Sequence, residues 1–251
     1  MTLFDTNMKQ IQDLSPNYSK KSRLKSTIKF VIIHYTGMQS EIESLRRLKD
    51  KNSKVSCHYL IGRKGNIIQL VNENKIAWHA GKSKWKGFTN LNKNSIGVEL
   101  VNKGHNYGYE KFSINQIKSL ELLCKKIKKK YKISNYNFLG HSDIAPLRKI
   151  DPGEKFPWKK LSILKIGDWY SFDKNDFPEI HNYNKEKQRG LFFKNLYKIG
   201  YRYFSLTKRN KKDSLIVKAF QRRYLPNRIS GKIDKKTFKI SLFLAKKRNL
   251  S

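Results

Sequence analysis

The run KFVIIHY at residues 29–35, closed by Thr36-Gly37, constrains the fold more than any other stretch of this chain. A short continuous apolar run of this kind belongs to a strand buried on both faces, and here it ends in a histidine, His34. The next stretch changes period. Ser40 with Glu43 three residues later forms a capping box and opens a short helix whose apolar positions are Ile42, Leu45 and Leu48. Tyr59-Leu60-Ile61 and Ile67 to Val71 flank a glycine-containing turn, Gly62 to Asn66, and predict an antiparallel hairpin. SIGVELV at 95–101 predicts another strand, with Ile96, Val98 and Leu100 on one side and Glu99 on the other. Ser113 and Gln116 form a second capping box, followed by Ile114, Ile117, Leu120, Leu123, Ile127 and Tyr131 along one helical face. The lysines of KKIKKK at 125–130 fall on the opposite, solvated face. A last short strand is expected around Phe138-Leu139.

Composition adds bounds. At 251 residues the chain has room for one full domain and a smaller one, and 38% hydrophobic residues suffice for a folded core. The formal net charge of +36 suits a polyanionic partner of any kind: nucleic acid, acidic lipid or anionic wall polymer. Residues 181–251 hold 21 Lys and Arg against Glu186, Asp213 and Asp234. Cys57 and Cys124 sit in apolar surroundings, as small buried hydrophobes do. No apolar run is long enough to span a bilayer, and the start MTLFDTNMKQ lacks the apolar core of a signal peptide.

There are six histidines: His34, His58, His79, His105, His141 and His181. His34 ends a buried strand, and His141 opens a Pro- and Gly-containing loop, GHSDIAPLRKIDPGEKFPW, that also supplies Asp151. A hydrolytic zinc takes three N or O ligands and leaves one position open for water, and two histidines with one aspartate meet that need. The spacing of these residues carries no local motif.

Five pieces, VIIHYT, SCHYLI, AWHAG, NSIGVELVN and GHSDIAPLRKIDPG, stand in the order and approximate separation of the bacterial N-acetylmuramoyl-L-alanine amidases, also called amidase type 2. From about residue 27 to 160 the chain resembles that family. The resemblance implies an α/β fold, with a mixed central sheet flanked by helices, and a catalytic domain over 1–172. It implies that His34, His141 and Asp151 hold Zn2+, that Glu99 is the general base, and that Lys149 steadies the oxyanion. It further implies that His79, Trp78 and Trp85 line a groove for sugar and peptide. Aspartate at 151, where related eukaryotic and phage enzymes carry cysteine, points to the bacterial branch. The expected reaction is hydrolysis of the amide between N-acetylmuramic acid, intact or 1,6-anhydro, and L-alanine of the stem peptide.

After a linker, DKNDFPEIHN at 173–182, residues 183–251 resemble the small all-α, three-helix peptidoglycan-binding module found beside many wall hydrolases. Gly231, Asp234 and Thr237 keep the G-x-x-D-x-x-T turn of its second half, whereas SLTKRNKKDS replaces the corresponding turn of the first. A helical bundle that merely packs on the catalytic domain is the other reading of this region. The rival functions are a wall receptor that has lost catalysis, which would lack a ligand or the base, and a nucleic-acid binder. No helix-turn-helix, zinc-finger or aromatic RNA motif accompanies the lysines, so no specific nucleic acid is expected. A monomer acting on peptidoglycan or muropeptides in the cell envelope is the expectation, with the cytoplasm as the alternative.

Overall fold

The computed structural model describes residues 10–172 and 183–249; the linker 173–182, with His181, lies outside the described residues. The strands in chain order are β1 (Gln10–Gln12), β2 (Tyr18–Ser19), β3 (Phe30–Tyr35), β4 (Tyr59–Ile61), β5 (Ile67–Gln69), β6 (Ile76–Ala77), β7 (Lys84–Trp85), β8 (Phe88–Thr89), β9 (Ser95–Leu100) and β10 (Phe138–Gly140). The helices are α1 (Glu41–Lys49), α2 (Ile114–Tyr131), α3 (His141–Ile144), α4 (Trp158–Ile163), α5 (Lys185–Ile199), α6 (Asp213–Tyr224) and α7 (Lys235–Asn249). By its contacts the chain divides into two units: Met1–Gly81 with Asn92–Leu139, and Lys82–Leu91 with Gly140–Ser251.

The first unit is built on a six-stranded sheet in the order β1-β5-β4-β9-β3-β10. β3 and β4 both run parallel to β9, and β5 runs antiparallel to β4, so the sheet is mixed and helices flank it. Phe30, Val31, Ile32 and Ile33 are all buried, as the apolar run requires. The hairpin forms as expected: Gly62 N–H donates to Asn66 O at 2.9 Å, and Gly65, at φ +90°, takes a backbone conformation that L side chains avoid.

Both capping serines accept from the residue three ahead, Ser40 from Glu43 N and Ser113 from Gln116 N, each at 3.1 Å. Only the second box closes, with Gln116 Oε1 accepting from Ser113 N; the Glu43 carboxylate reaches Gln39 N instead. Gln116 then does a second task, its amide donating to Val101 O at 2.8 Å and Ile61 O at 3.3 Å, which anchors α2 to the ends of two strands. The apolar spacing overreaches at the first turn of each helix. Ile42 and Ile114 are 62% and 70% exposed, because those positions precede the face that Leu48 on α1 and Ile117, Leu120, Leu123 and Ile127 on α2 turn inward. Cys57 and Cys124 are buried and unbridged, as expected.

The second unit joins a short hairpin, β7 with β8, to the loop from Gly140, to α4 and to three helices, α5 to α7. Its core includes Phe192, Phe193, Leu196, Ile216, Phe220, Phe238 and Leu244. The retained turn has a local cause: Asp234 Oδ1 accepts from Thr237 N at 2.7 Å at the start of α7, and Gly231, at φ +74°, donates its N–H to Gln221 Oε1 at 2.8 Å. In the altered first half Asn210 takes over, accepting from Lys212 N at 2.8 Å just before α6.

Candidate functional site

In the first unit, β3 and β9 lie in parallel register with His34 opposite Glu99 and Ile32 opposite Gly97. Register partners on adjacent strands share a face, so the histidine that ends the buried run and the carboxylate that interrupts SIGVELV project together. His34 is 1% exposed and Glu99 is half-buried. Behind His34 stands His79. His34 Nε2 and His79 Nδ1 are 3.0 Å apart, and His79 Nε2 meets Ser95 Oγ at 3.2 Å.

Gly97 makes this possible: a Cβ there would lie 2.4 Å from the His79 ring. Gly97→Ala therefore forces the ring off its seat. Overpacking of this kind costs about 1–3 kcal/mol, and a thermal melt of the variant should show the loss; an unchanged midpoint would mean that the ring moves aside freely.

His58 lies under the same group, accepting from Gly97 N at Nδ1 at 2.9 Å and meeting Arg23 Nη2 at 2.8 Å through Nε2. Burial, with the Arg23 charge beside it, pushes the His58 pKa well below the ordinary histidine value, so this ring stays neutral. Burial also lowers Arg23, to about 10. The three rings His34, His79 and His58 meet edge to face, with centroids 5.1 and 5.7 Å apart along the series.

In the second unit, His141 opens α3 and Asp151 lies ten residues on, with His141 Nδ1 and Asp151 Oδ2 3.1 Å apart and both side chains buried. Ser142 N donates to Asp151 O at 2.9 Å, which ties the stretches that carry His141 and Asp151 by their backbones. Arg148 Nη2 reaches His141 Nε2 at 3.3 Å while its guanidinium holds Lys82 O at 2.9 and 3.1 Å. Lys149, half-buried, sits on a turn closed by Ala145 O at 3.1 Å.

Among the described residues one group of histidine and carboxylate side chains could hold a metal ion, namely His34, His141 and Asp151. All three are buried, and each offers one ligand atom within 4.8 Å of the others. Two imidazoles and a carboxylate away from bulk water are the donor set of a hydrolytic zinc, so the residues present fit that ion.

One of the expected groove residues takes another position. Trp85 is 2% exposed, its ring 4.9 Å from that of Tyr201, and a Cβ on Gly200 would lie 2.4 Å from it, so Trp85 is a core residue of the second unit. His79 is 9% exposed, with its two ring nitrogens meeting His34 and Ser95. Trp78 is half-buried, its indole N–H donating to Ser19 Oγ at 3.3 Å. Ser95, His58, Arg23 and Arg148 also stand in this region, without a sequence signature that sets them apart. The pleat that singled out Glu99 also places Ser95 and Gly97 on its face, so those two were within reach.

Residues 24–154 match the family described as N-acetylmuramoyl-L-alanine amidase. The chain is 44% identical over 154 residues to the Escherichia coli N-acetylmuramoyl-L-alanine amidase AmiD, a stretch covering 57% of this chain and 55% of AmiD. It is 37% identical over 179 residues to the Haemophilus influenzae 1,6-anhydro-N-acetylmuramyl-L-alanine amidase AmpD, covering 64% of this chain and 94% of that protein. The match thus spans about half the length of one curated relative and nearly all of the other. Among solved structures, E. coli AmiD in complex with the substrate anhydro-N-acetylmuramic acid-L-Ala-D-gamma-Glu-L-Lys superimposes with a TM-score of 0.78 at 33% identity, covering 91% of this chain and 92% of that one. AmpDh3 from Pseudomonas aeruginosa in complex with anhydromuramic pentapeptide gives a TM-score of 0.80 at 30% identity, covering 92% and 96%. The chain belongs to the N-acetylmuramoyl-L-alanine amidase family.

Proposed function

We propose that this protein is a zinc-dependent amidase that hydrolyses the bond between N-acetylmuramic acid and L-alanine, and that muropeptides carrying the 1,6-anhydro sugar are among its substrates. The observation that carries the reading is the meeting of a buried His-His-Asp donor set with a carboxylate in register beside one of its histidines. The substrates named for the AmiD and AmpDh3 complexes support the choice of sugar.

His34, His141 and Asp151 would hold the ion. Zinc held there would supply the Lewis-acid and water-activating chemistry that amide cleavage needs near neutral pH. Glu99 takes the proton from the attacking water and returns it to the departing alanine nitrogen, a shuttle open to a half-buried carboxylate. Lys149 offsets the negative charge that grows on the carbonyl oxygen. His79, backed by Ser95, fixes the plane of the His34 ring, as a hydrogen-bond partner behind a metal-binding histidine does.

Residues 183–251 would add a surface for insoluble wall. A cleft of about 610 Å³ among α5, α6 and the turn at Gly231 is lined by Lys185, Arg189, Lys211 and Lys232, a charge suited to an anionic polymer. Such a substrate favours an enzyme of the cell envelope. Among the described residues no helix is long and apolar enough to cross a membrane.

Mass spectrometry of muropeptides, with and without the anhydro sugar, tests the reading. Free stem peptide should appear, disappear on chelation and return with zinc. Intact muropeptides in the presence of demonstrably bound zinc would overturn it in favour of a receptor.

A further inference from the structure

Asp143 stands two residues after His141 and is 1% exposed. A carboxylate so deeply buried is costly unless fully partnered. Here one partner is local and two are remote. Its Oδ2 accepts from the backbone N–H of Gly140 at 2.8 Å, the residue that precedes His141. Its Oδ1 accepts from the hydroxyl of Tyr201 at 2.6 Å, and Arg223 of α6 forms a buried ion pair with Oδ2. Burial and the neighbouring carboxylate push the Tyr201 phenol well above its ordinary pKa, so it remains the donor.

The remote partners are themselves fixed. Tyr201 is fully buried, with its ring against Trp85 and 6.0 Å from that of Phe220. The Arg223 guanidinium lies 4.0 Å over the Trp158 ring, a cation–π seat that holds its plane. At the other end, the point being held is where the two ligand-bearing stretches touch. A Cβ on Gly140 would lie 2.7 Å from Pro152, and Ser142 N donates to Asp151 O at 2.9 Å. A shift of Gly140 therefore moves His141 and Asp151 against each other.

We propose that Asp143, Tyr201 and Arg223 are positioning residues through which the three-helix region holds His141 and Asp151 in ligating geometry. The inference rests on the zinc amidase reading. It gives the helical region a part in the chemistry of small soluble fragments, for which a wall-holding surface has no use.

The test uses the full chain with Tyr201→Phe, Arg223→Met and Arg223→Lys. Zinc affinity is measured by competition with a fluorescent chelator, hydrolysis on a soluble anhydro-muropeptide, exchange at the Gly140 amide by NMR, and folding by circular dichroism melts. Loss of a direct hydrogen-bond partner of a metal ligand weakens binding by about 10–100-fold, and Tyr201 and Arg223 act further out, through Asp143 and Gly140. Tyr201→Phe and Arg223→Met should weaken zinc by about 10-fold, the lower end of that range, speed Gly140 exchange and lower kcat with KM unchanged. Arg223→Lys, which keeps the charge, should recover part of the loss. Should Arg223→Met fail to fold, Tyr201→Phe, which removes one hydroxyl, decides. Folded variants equal to the unaltered chain in zinc affinity and kcat overturn the proposal alone. An unaltered chain that neither holds zinc nor cuts overturns the amidase reading, and the proposal with it.

Discussion

Glu99→Gln should keep a full equivalent of zinc and lose turnover by about 10²–10⁴-fold, the span that a positioned general base contributes. The reasoning starts from register. Glu99 sits on β9 between β3 and β4, opposite His34 on one side and Leu60 on the other, and strand pairing on both sides fixes its backbone. The substitution changes neither the length nor the branching of the side chain, so the sheet and the His34–His79–Ser95 series should survive. What disappears is the capacity to accept a proton from water. Since Glu99 is not among the three candidate ligands, metal content separates this role from ligation. Zinc content by atomic absorption and initial rates on a soluble muropeptide check both parts. A folded variant cutting at a near-normal rate would remove Glu99 from the mechanism, and one that had also lost its zinc would make Glu99 a support of the metal.

The parts legible in the sequence were those with a local physical signature. The run at 29–35 declared a doubly buried strand, the pleat of 95–101 put Glu99 apart from its apolar neighbours, and Ser113 with Gln116 announced the start of α2 to the residue. The errors have an equally definite origin. Ile42 and Ile114 fit the helical spacing, but a periodicity does not say which turn first meets the sheet. Trp85 and His79 lie in one stretch of sequence, yet their neighbours are Tyr201, Gly200, His34 and Ser95, which no spacing reveals. The same holds for His34 and Glu99, which only strand register brings together. The candidate ligand set was therefore readable through resemblance to a family and not from spacing. Asp143, lying between two expected ligands in HSDIAPLRKID, gave no sign that its partners wait at positions 201 and 223.

Cutting the chain after residue 172 should lower stability severely and should not merely release a detachable wall-binding module. Two buried carboxylates would lose their cations. Asp143 would lose Arg223 and the Tyr201 hydroxyl; Asp168 would lose Lys247 at 2.7 Å and Arg248 at 2.9 Å. Removing one partner of a buried ion pair costs about 3–5 kcal/mol. Water reaching the uncovered carboxylates would offset part of this, so two such losses come to at most about 6–10 kcal/mol, against a total stability of about 5–15 kcal/mol for a folded domain. Trp85 and Trp158 would also lose the Tyr201 ring and the Arg223 guanidinium that cover them. At about 2–4 °C per kcal/mol for a chain of this size, the melting point of the truncated protein should fall by about 10 °C. Hydrolysis of soluble fragments should fall with it. Asp143→Asn with Asp168→Asn in the truncated chain should recover part of the melting point, because a carboxamide needs no cation beside it. The full chain, the truncated chain and the doubly substituted truncated chain, compared by melts and by initial rates, separate the alternatives. A truncated protein that melts within 2–3 °C of the full chain and cuts soluble muropeptides at the same rate would show that residues 183–251 serve the wall alone, since an independent module would leave nothing behind that needs it.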